Sequence, residues 1–408
     1  MRIDHKLGEN DQLSGRFLSN REDNPLGGVA GFPGFDADFA SRLYNFQVAE
    51  THIFSSTVTN ELRLSYNRLD FGFPLTNPSG PAGSNLAINV ASISSLGIAA
   101  TFPQGRIANN YQVQDTMTYI RGDHTFRFGG DYLRQISTQA APFNPRGSLT
   151  FASGGAFTNA TDATGETIPN GTFTALANFV DNFGGSLGTA ARDFGSAVYF
   201  PSLHRIAVFG QDRWKVSEAL TITLGLRYER FGTPFNTLRT PAFTGLFNIN
   251  STNLATGPYS QPNQVPPDNN NFAPALGVAY SPSYTGGLMG RIFGERKSVI
   301  RAGYQIGYDS FFNNIASNAA VSSPNIISTT NTSVVSTVAP RGLSNFFSLV
   351  PTVAATLTPL SGQTLITPNL VNPYYQRWSL GIQRELPYNF ILDMSYVGSK
   401  GTKLFINE

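Results

Sequence analysis

One pattern recurs along this chain. Two strands of alternating polarity meet at a short turn, and a long loop rich in Gly, Asn and Phe leads to the next pair, five times over. The clearest pair is His204–Lys215 and Leu220–Arg230, around Val216-Ser217-Glu218. In its second strand Leu220, Ile222, Leu224, Leu226 and Tyr228 share one side, while Thr221, Thr223, Gly225, Arg227 and Glu229 share the other. A period of two with one apolar and one charged face specifies a β-strand between two different environments.

The same reading predicts twelve strands: Arg2–Leu7, Asp11–Ser19, Arg42–His52, Ser56–Asp70, Asn109–Ile120, His124–Ile136, His204–Lys215, Leu220–Arg230, Phe272–Pro282, Lys297–Asp309, Tyr375–Glu385 and Asn389–Val397. Many are close to the length of a tilted membrane strand, about 9–11 residues. Connections within a pair are short, such as Gly8-Glu9-Asn10 and Arg121-Gly122-Asp123; Ser283–Arg296 is intermediate. Connections between pairs are long: Asn20–Ser41, Phe71–Asn110, Ser137–Leu203, Phe231–Asn271 and Ser310–Tyr374. Such loops are unusual in a compact soluble domain. Short turns at one end and long loops at the other describe an all-β, antiparallel outer-membrane β-barrel, here a part of about 12 strands with extracellular loops and periplasmic turns. A soluble sheet with one solvated face explains the alternation but not the loops.

Composition agrees. Charged residues are 13%, about half the usual share, and aromatics are 12%, with 32 Phe and 16 Tyr. No run approaches the roughly 20 apolar residues of a helical span. A net charge of +2 gives no electrostatic case for nucleic acid. Zero Cys excludes disulfides and thiolate metal sites. The aromatics Trp214, Tyr228, Tyr308, Trp378 and Tyr396 fall near strand ends, where interfacial girdles form.

Specific residues then carry a family likeness. Phe209-Gly210-Gln211-Asp212-Arg213-Trp214-Lys215-Val216 leads into Leu220-Thr221-Ile222-Thr223-Leu224-Gly225-Leu226-Arg227-Tyr228-Glu229, a hairpin that resembles those of TonB-dependent transporters. Asp268-Asn269-Asn270-Asn271-Phe272-Ala273-Pro274, Val299-Ile300-Arg301-Ala302-Gly303-Tyr304 and Tyr396-Val397-Gly398-Ser399-Lys400-Gly401 narrow the likeness to the Oar-like transporters abundant in Acidobacteria. The resemblance implies a signal peptide, a carboxypeptidase-regulatory-like sandwich, a plug and a barrel of about 22 strands. Residues 1–408 match only the barrel part, without plug, signal peptide or sandwich, so the expectation is an internal barrel fragment. Gly8-Glu9-Asn10 as a periplasmic turn then puts both ends of the segment on the extracellular side, with unpaired edges on the first and last strands.

Arg63, Arg127, Arg227, Arg301 and Arg377 recur on the polar strand faces and are the expected lumen-facing residues. No catalytic, cofactor-binding or metal site is expected. His5, His52, His124 and His204 lie far apart without acidic residues at ligand spacing, and read as interfacial or turn-flanking. Arg121-Gly122-Asp123 sits where a tight turn is needed. Gly184-Gly185-Ser186-Leu187-Gly188 follows no strand-to-helix pattern for phosphate. Asp268–Asn271 has oxygens suited to Ca²⁺, but reads better as the lead into a strand.

The leading function is a non-enzymatic receptor or transporter segment for a large, unidentified ligand. Its partners are outer-membrane lipid and, only through a plug region, the TonB complex; no nucleic acid is expected. The alternative is an outer-membrane surface protein whose loops serve adhesion or structure.

Overall fold

The computed structural model describes residues 1–29, 35–79, 86–93, 95–153, 156–157, 171–172, 174–180, 188–196, 198–234, 265–311, 313–323, 325–332, 350–356, 364, 366 and 370–406. Twelve strands form one antiparallel sheet in strict chain order. They are β1 (Arg2–Lys6), β2 (Asp11–Val29), β3 (Ala37–Ser55), β4 (Val58–Phe73), β5 (Gln104–Arg121) and β6 (His124–Ala140). Then follow β7 (Ser202–Lys215), β8 (Leu220–Phe231), β9 (Asn271–Tyr280), β10 (Ser298–Tyr308), β11 (Tyr374–Glu385) and β12 (Ile391–Thr402). Val198–Tyr199 pairs briefly with the end of β6. Among the described residues β1 pairs only with β2 and β12 only with β11, so the sheet has two open edges.

Every predicted strand is present, but several are longer at their loop ends. β2 and β3 have 19 residues each, against 9 and 11 expected from Asp11–Ser19 and Arg42–His52. The extension of β2 begins Asn20-Arg21-Glu22-Asp23 and lacks an apolar face. Above the membrane no apolar face is demanded, yet backbone pairing continues, so periodicity ends before the ladder does.

Exposure separates the two faces. Leu224 and Leu226 are 54% and 51% exposed, whereas Glu229 on the other face is 7% exposed. Leu62, Leu64, Phe128, Leu276 and Leu380 are likewise exposed. The register aligns them across the sheet: Leu226 faces Gly210 and Pro274, and Gly210 faces Phe128. A continuous apolar band of this kind is untenable in water and is satisfied by lipid.

The buried apolar clusters therefore lie mainly in the loops and the loop-side ends of the strands. One gathers Tyr199, Phe311, Ala316, Ala319, Ala320 and Ile326 with other residues. Another gathers Leu86, Val90, Leu149, Phe151, Ala190 and Val350. A third joins Ala37, Ile98 and Phe102. Three long loops also build a second sheet. In it Ala87–Val90 runs parallel to Ser148–Phe151, which pairs antiparallel with Thr189–Gly195, which in turn pairs with Ile326–Thr332. No strand of this roof was expected. Its four strands, of four to seven residues, come from three loops and none is joined to its neighbour by a short turn, so no local turn announces their pairing.

Candidate functional site

Two surfaces could meet a solute: the polar face of the wall and the roof above it. On the wall, Asp131 of β6 and Glu229 of β8 stand in one row, with Ala207 of β7 between them as cross-strand partner to both. Arg227 donates from Nη2 to Asp131 Oδ2 at 2.7 Å and lies 3.0 Å from Glu229 Oε1. Arg205 approaches Asp131 Oδ1 at 3.6 Å from the other side. The Asp131 side chain is 8% exposed, so its charge is held largely by these two guanidiniums. Ala207, with only a methyl, leaves room for Arg227 to reach across β7.

The register carries all five expected arginines on the face opposite Leu226. Arg63 opposes Ala49 and Gln114; Arg127 opposes Thr118 and Gln211; Arg227 opposes Phe209 and Ala273. Arg301 opposes Ala279 and Gly381, and Arg377 opposes Gln305 and Ser399. Arg63, Arg127 and Arg227 come together with Glu61 and Asp131 around a cavity of about 210 Å³. Arg63 pairs with Glu61 at 2.5 Å. Arg301 and Arg377 lie apart from that cluster: Arg301 donates to Gln383 Oε1 at 3.2 Å, and Arg377 covers the Tyr375 ring at 4.8 Å. A second polar cavity of about 440 Å³ opens on the same wall between Arg16, Gln47, Glu61 and Arg63.

The roof is pinned to the wall and to itself by side chains that satisfy loop carbonyls. Arg146 donates to Phe102 O at 3.2 Å, Ile98 O at 3.3 Å and Ala99 O at 2.8 Å. Burial lowers its pKa below the usual guanidinium value. Ser317, on the helix Asn313–Ala320, donates to Gln139 Oε1 at 3.1 Å and so fixes that helix to the end of β6. Asn271, fully buried at the start of β9, donates to Glu229 O and Asp268 O. Asp268 Oδ2 accepts the Asn372 backbone N–H at 2.9 Å, tying two loop ends together. Asp268–Asn271 thus has the strand-leading role expected of it. Gly122, with φ of 56°, makes the Arg121–His124 turn, also as expected. Of the Gly184–Gly188 run, all but Gly188 lie outside the described residues.

His52 and His124 lie near turns, as expected, but acidic side chains also meet them. His52 Nδ1 contacts Asp11 Oδ1 at 2.5 Å, and Asp11, Glu50 and His52 hold ligand-type atoms within 4.8 Å of one another. His124 Nδ1 contacts Asp212 Oδ2 at 2.7 Å and stacks on Trp214 with centroids 5.3 Å apart. His204 meets the Tyr132 hydroxyl at 2.7 Å. These partners are invisible to sequence spacing because cross-strand register supplies them: Asp11 opposes His52 from 41 residues away. His124, Trp214 and Phe126 form a stacked aromatic tier beside two periplasmic-side turns, as an interfacial girdle requires.

A family described as an outer membrane beta barrel domain matches residues 1–408. Among solved structures, the outer membrane transporter YddB from Escherichia coli superposes with a TM-score of 0.52 at 10% identity, over 97% of this chain and 38% of that chain. The ferripyoverdine receptor of the outer membrane of Pseudomonas aeruginosa gives 0.48 at 10% identity, over 98% and 41%. The FrpB iron transporter from Neisseria meningitidis gives 0.47 at 11% identity, over 98% and 43%. The chain therefore spans 38% to 43% of the length of these three proteins, and the likeness to the first is one of fold. No curated protein matches it in sequence.

Proposed function

The chain belongs to the outer membrane β-barrel domain family, and from that premise we propose that it is the wall and roof segment of a TonB-dependent, Oar-like receptor that takes up or translocates a large ligand. The observation that carries this is the pairing of a lipid-facing apolar wall with a charged opposite face under a folded roof. The charged face, with Arg63, Arg127, Arg227, Arg301 and Arg377, lines a water-filled lumen. Lumen charges that are already paired, such as Arg227 with Asp131, suit a surface that must stay wet yet ordered. The roof sheet and its loops make the first contact with the ligand outside the cell. Energy reaches the barrel through TonB and a plug region of the full protein.

Deleting the gene and measuring both uptake of candidate nutrients and attachment to surfaces tests this. Loss of uptake with attachment intact is the expected result. Loss of attachment with uptake intact would assign the loops to adhesion instead.

A further inference from the structure

The connection between β9 and β10 lies at the short-turn end of the wall, yet it spans residues 281–297 and folds into the helix Gly287–Phe293. Three wall side chains hold it, and all three have the lipid-facing parity. Tyr280 opposes Leu220 and Ile300, and Ser298, two residues before Ile300, opposes Arg384. Tyr280, Ser298 and Arg384 therefore share the face of Leu224 and Leu226. The Tyr280 hydroxyl meets that of Tyr284 at 3.3 Å. Ser298 Oγ donates to Phe293 O at 2.8 Å, and Arg384 Nη2 donates to Arg291 O at 2.7 Å. Ser298 is 1% exposed, whereas Leu224 and Leu226 on the same face are 54% and 51% exposed. The connection thus folds outward over the foot of the wall, not inward beneath the lumen.

Glycines and large apolar residues take opposite sides of this helix. Gly287, Gly290 and the C-cap Gly294 recur at i, i+3 and i+7. A Cβ on Gly290 would stand 3.2 Å from Tyr284 O and Thr285 C, so this side is closed against the loop's own backbone. Leu288, Met289 and Ile292 form the other side and are 71%, 50% and 44% exposed. They join no buried cluster among the described residues. Arg291 flanks this apolar stripe, and Arg384 lies against the helix backbone. Neither guanidinium has an ion pair among the described residues. The carboxylates nearby do not supply one: Glu218 is held by Arg296, Glu385 lies 4.0 Å from Lys297, and Glu295 bridges to Ser283 through its backbone.

We propose that the helix Gly287–Phe293 is an interfacial anchor in the inner leaflet of the outer membrane. Leu288, Met289 and Ile292 enter the leaflet, and Arg291 and Arg384 take the phosphate of an anionic phospholipid head group. Lipid is the occupant because the helix continues a surface that lipid already covers. Ile300 and Ile382, cross-strand partners on the apolar band, stand directly above Ser298 and Arg384, on which the helix rests. A protein partner would have to displace the head groups at the foot of the wall. An amphipathic helix in the head-group plane sinks its apolar side by about 5–10 Å and gains further from cations beside anionic lipid. Such an anchor fixes the height of β9 and β10 in the bilayer.

The test uses the full-length protein in lipid vesicles. These 408 residues contain no Cys, so Met289→Cys, Leu226→Cys and Asp123→Cys each place one nitroxide label among them. Access to oxygen, which concentrates in lipid, and to a water-soluble nickel chelate reads the depth of each label. Met289→Cys is expected to be shielded from nickel and shallower than Leu226→Cys, while Asp123→Cys, in an exposed turn, is open to nickel. Nickel access at Met289→Cys with Leu226→Cys still embedded overturns the anchor and leaves the wall intact. Nickel access at Leu226→Cys would overturn the face assignment, and the anchor with it. Head-group contact is read from the phospholipid that remains with the protein in detergent. The parent is expected to retain phosphatidylglycerol about fivefold over phosphatidylcholine. Arg291→Gln/Arg384→Gln should lose that preference while the label at position 289 keeps its depth and gel migration stays heat-modifiable. Equal retention by the parent, or an undiminished preference in the double variant, overturns the role of the two arginines.

Discussion

Arg227 of β8 reaches across β7 to Asp131 of β6, with Nη2 2.7 Å from Oδ2. Two strands that do not pair are thereby joined through their side chains over Ala207. Asparagine at position 131 would leave Arg227 paired with Glu229 and would remove the ion pair of Arg205. Removing one partner of a mostly buried pair costs several kcal/mol when burial is complete, and less here because the arginines are about 30% exposed. Asp131→Asn is expected to lower stability by about 1–3 kcal/mol in urea unfolding from lipid vesicles. Arg301→Gln, whose partner is a neutral glutamine, should cost under about 1 kcal/mol.

The two faces of β8 should respond oppositely to one new charge. Leu226 is six residues above the start of the strand, near the bilayer midplane at about 2.6 Å of height per residue. Leu226→Lys is expected to cost about 2–4 kcal/mol of folding into vesicles. Thr223→Lys, on the charged face, should cost little. Equal losses would refute the face assignment.

The roof has its own core, so damage there should stay there. Phe151 is 1% exposed and packs edge-on against Phe179 at 5.4 Å. Phe151→Ala removes a large buried side chain and is expected to destabilise the roof by about 3–5 kcal/mol. Amide exchange should quicken in Ser148–Phe151 and Thr189–Gly195 while β7 and β8 keep their protection. A uniform loss across the wall would show that roof and wall unfold as one unit.

The open edges of β1 and β12 predict how the 408-residue chain behaves when produced alone. Among the described residues neither edge is paired, and lipid cannot satisfy free backbone N–H and C=O groups. Refolded in detergent, the isolated chain is expected to aggregate or to run on a gel at one position, heated or not. Heat-modifiable migration with protease-resistant strands would show instead that the two edges meet.

The wall was legible in the sequence because lipid imposes a rule that each strand must obey separately. Leu224, Leu226 and Tyr228 alternate with Thr223, Gly225 and Arg227 whatever their neighbours do. Short turns then force the two strands of each hairpin together, so pairing within a hairpin follows along the chain, and the arginines take the face opposite the apolar residues of their own strands by parity alone. Which arginines meet was not legible. Arg63, Arg127 and Arg227 share a cavity because β4, β6 and β8 are brought level by sheet register, while Arg301 and Arg377 stand further round the wall. The acidic partners of His52 and His124 come from strands 41 and 88 residues away. The roof was hidden for the same reason: Ala87–Val90, Ser148–Phe151, Thr189–Gly195 and Ile326–Thr332 have no local period or turn in common, and only the closing of three loops over one wall sets them side by side. Local periodicity and turn chemistry determined the strands of the wall; the long-range contacts that build the roof, and the wall's cross-strand charge pairs, were decided only in the tertiary structure, where residues distant in sequence share one small space.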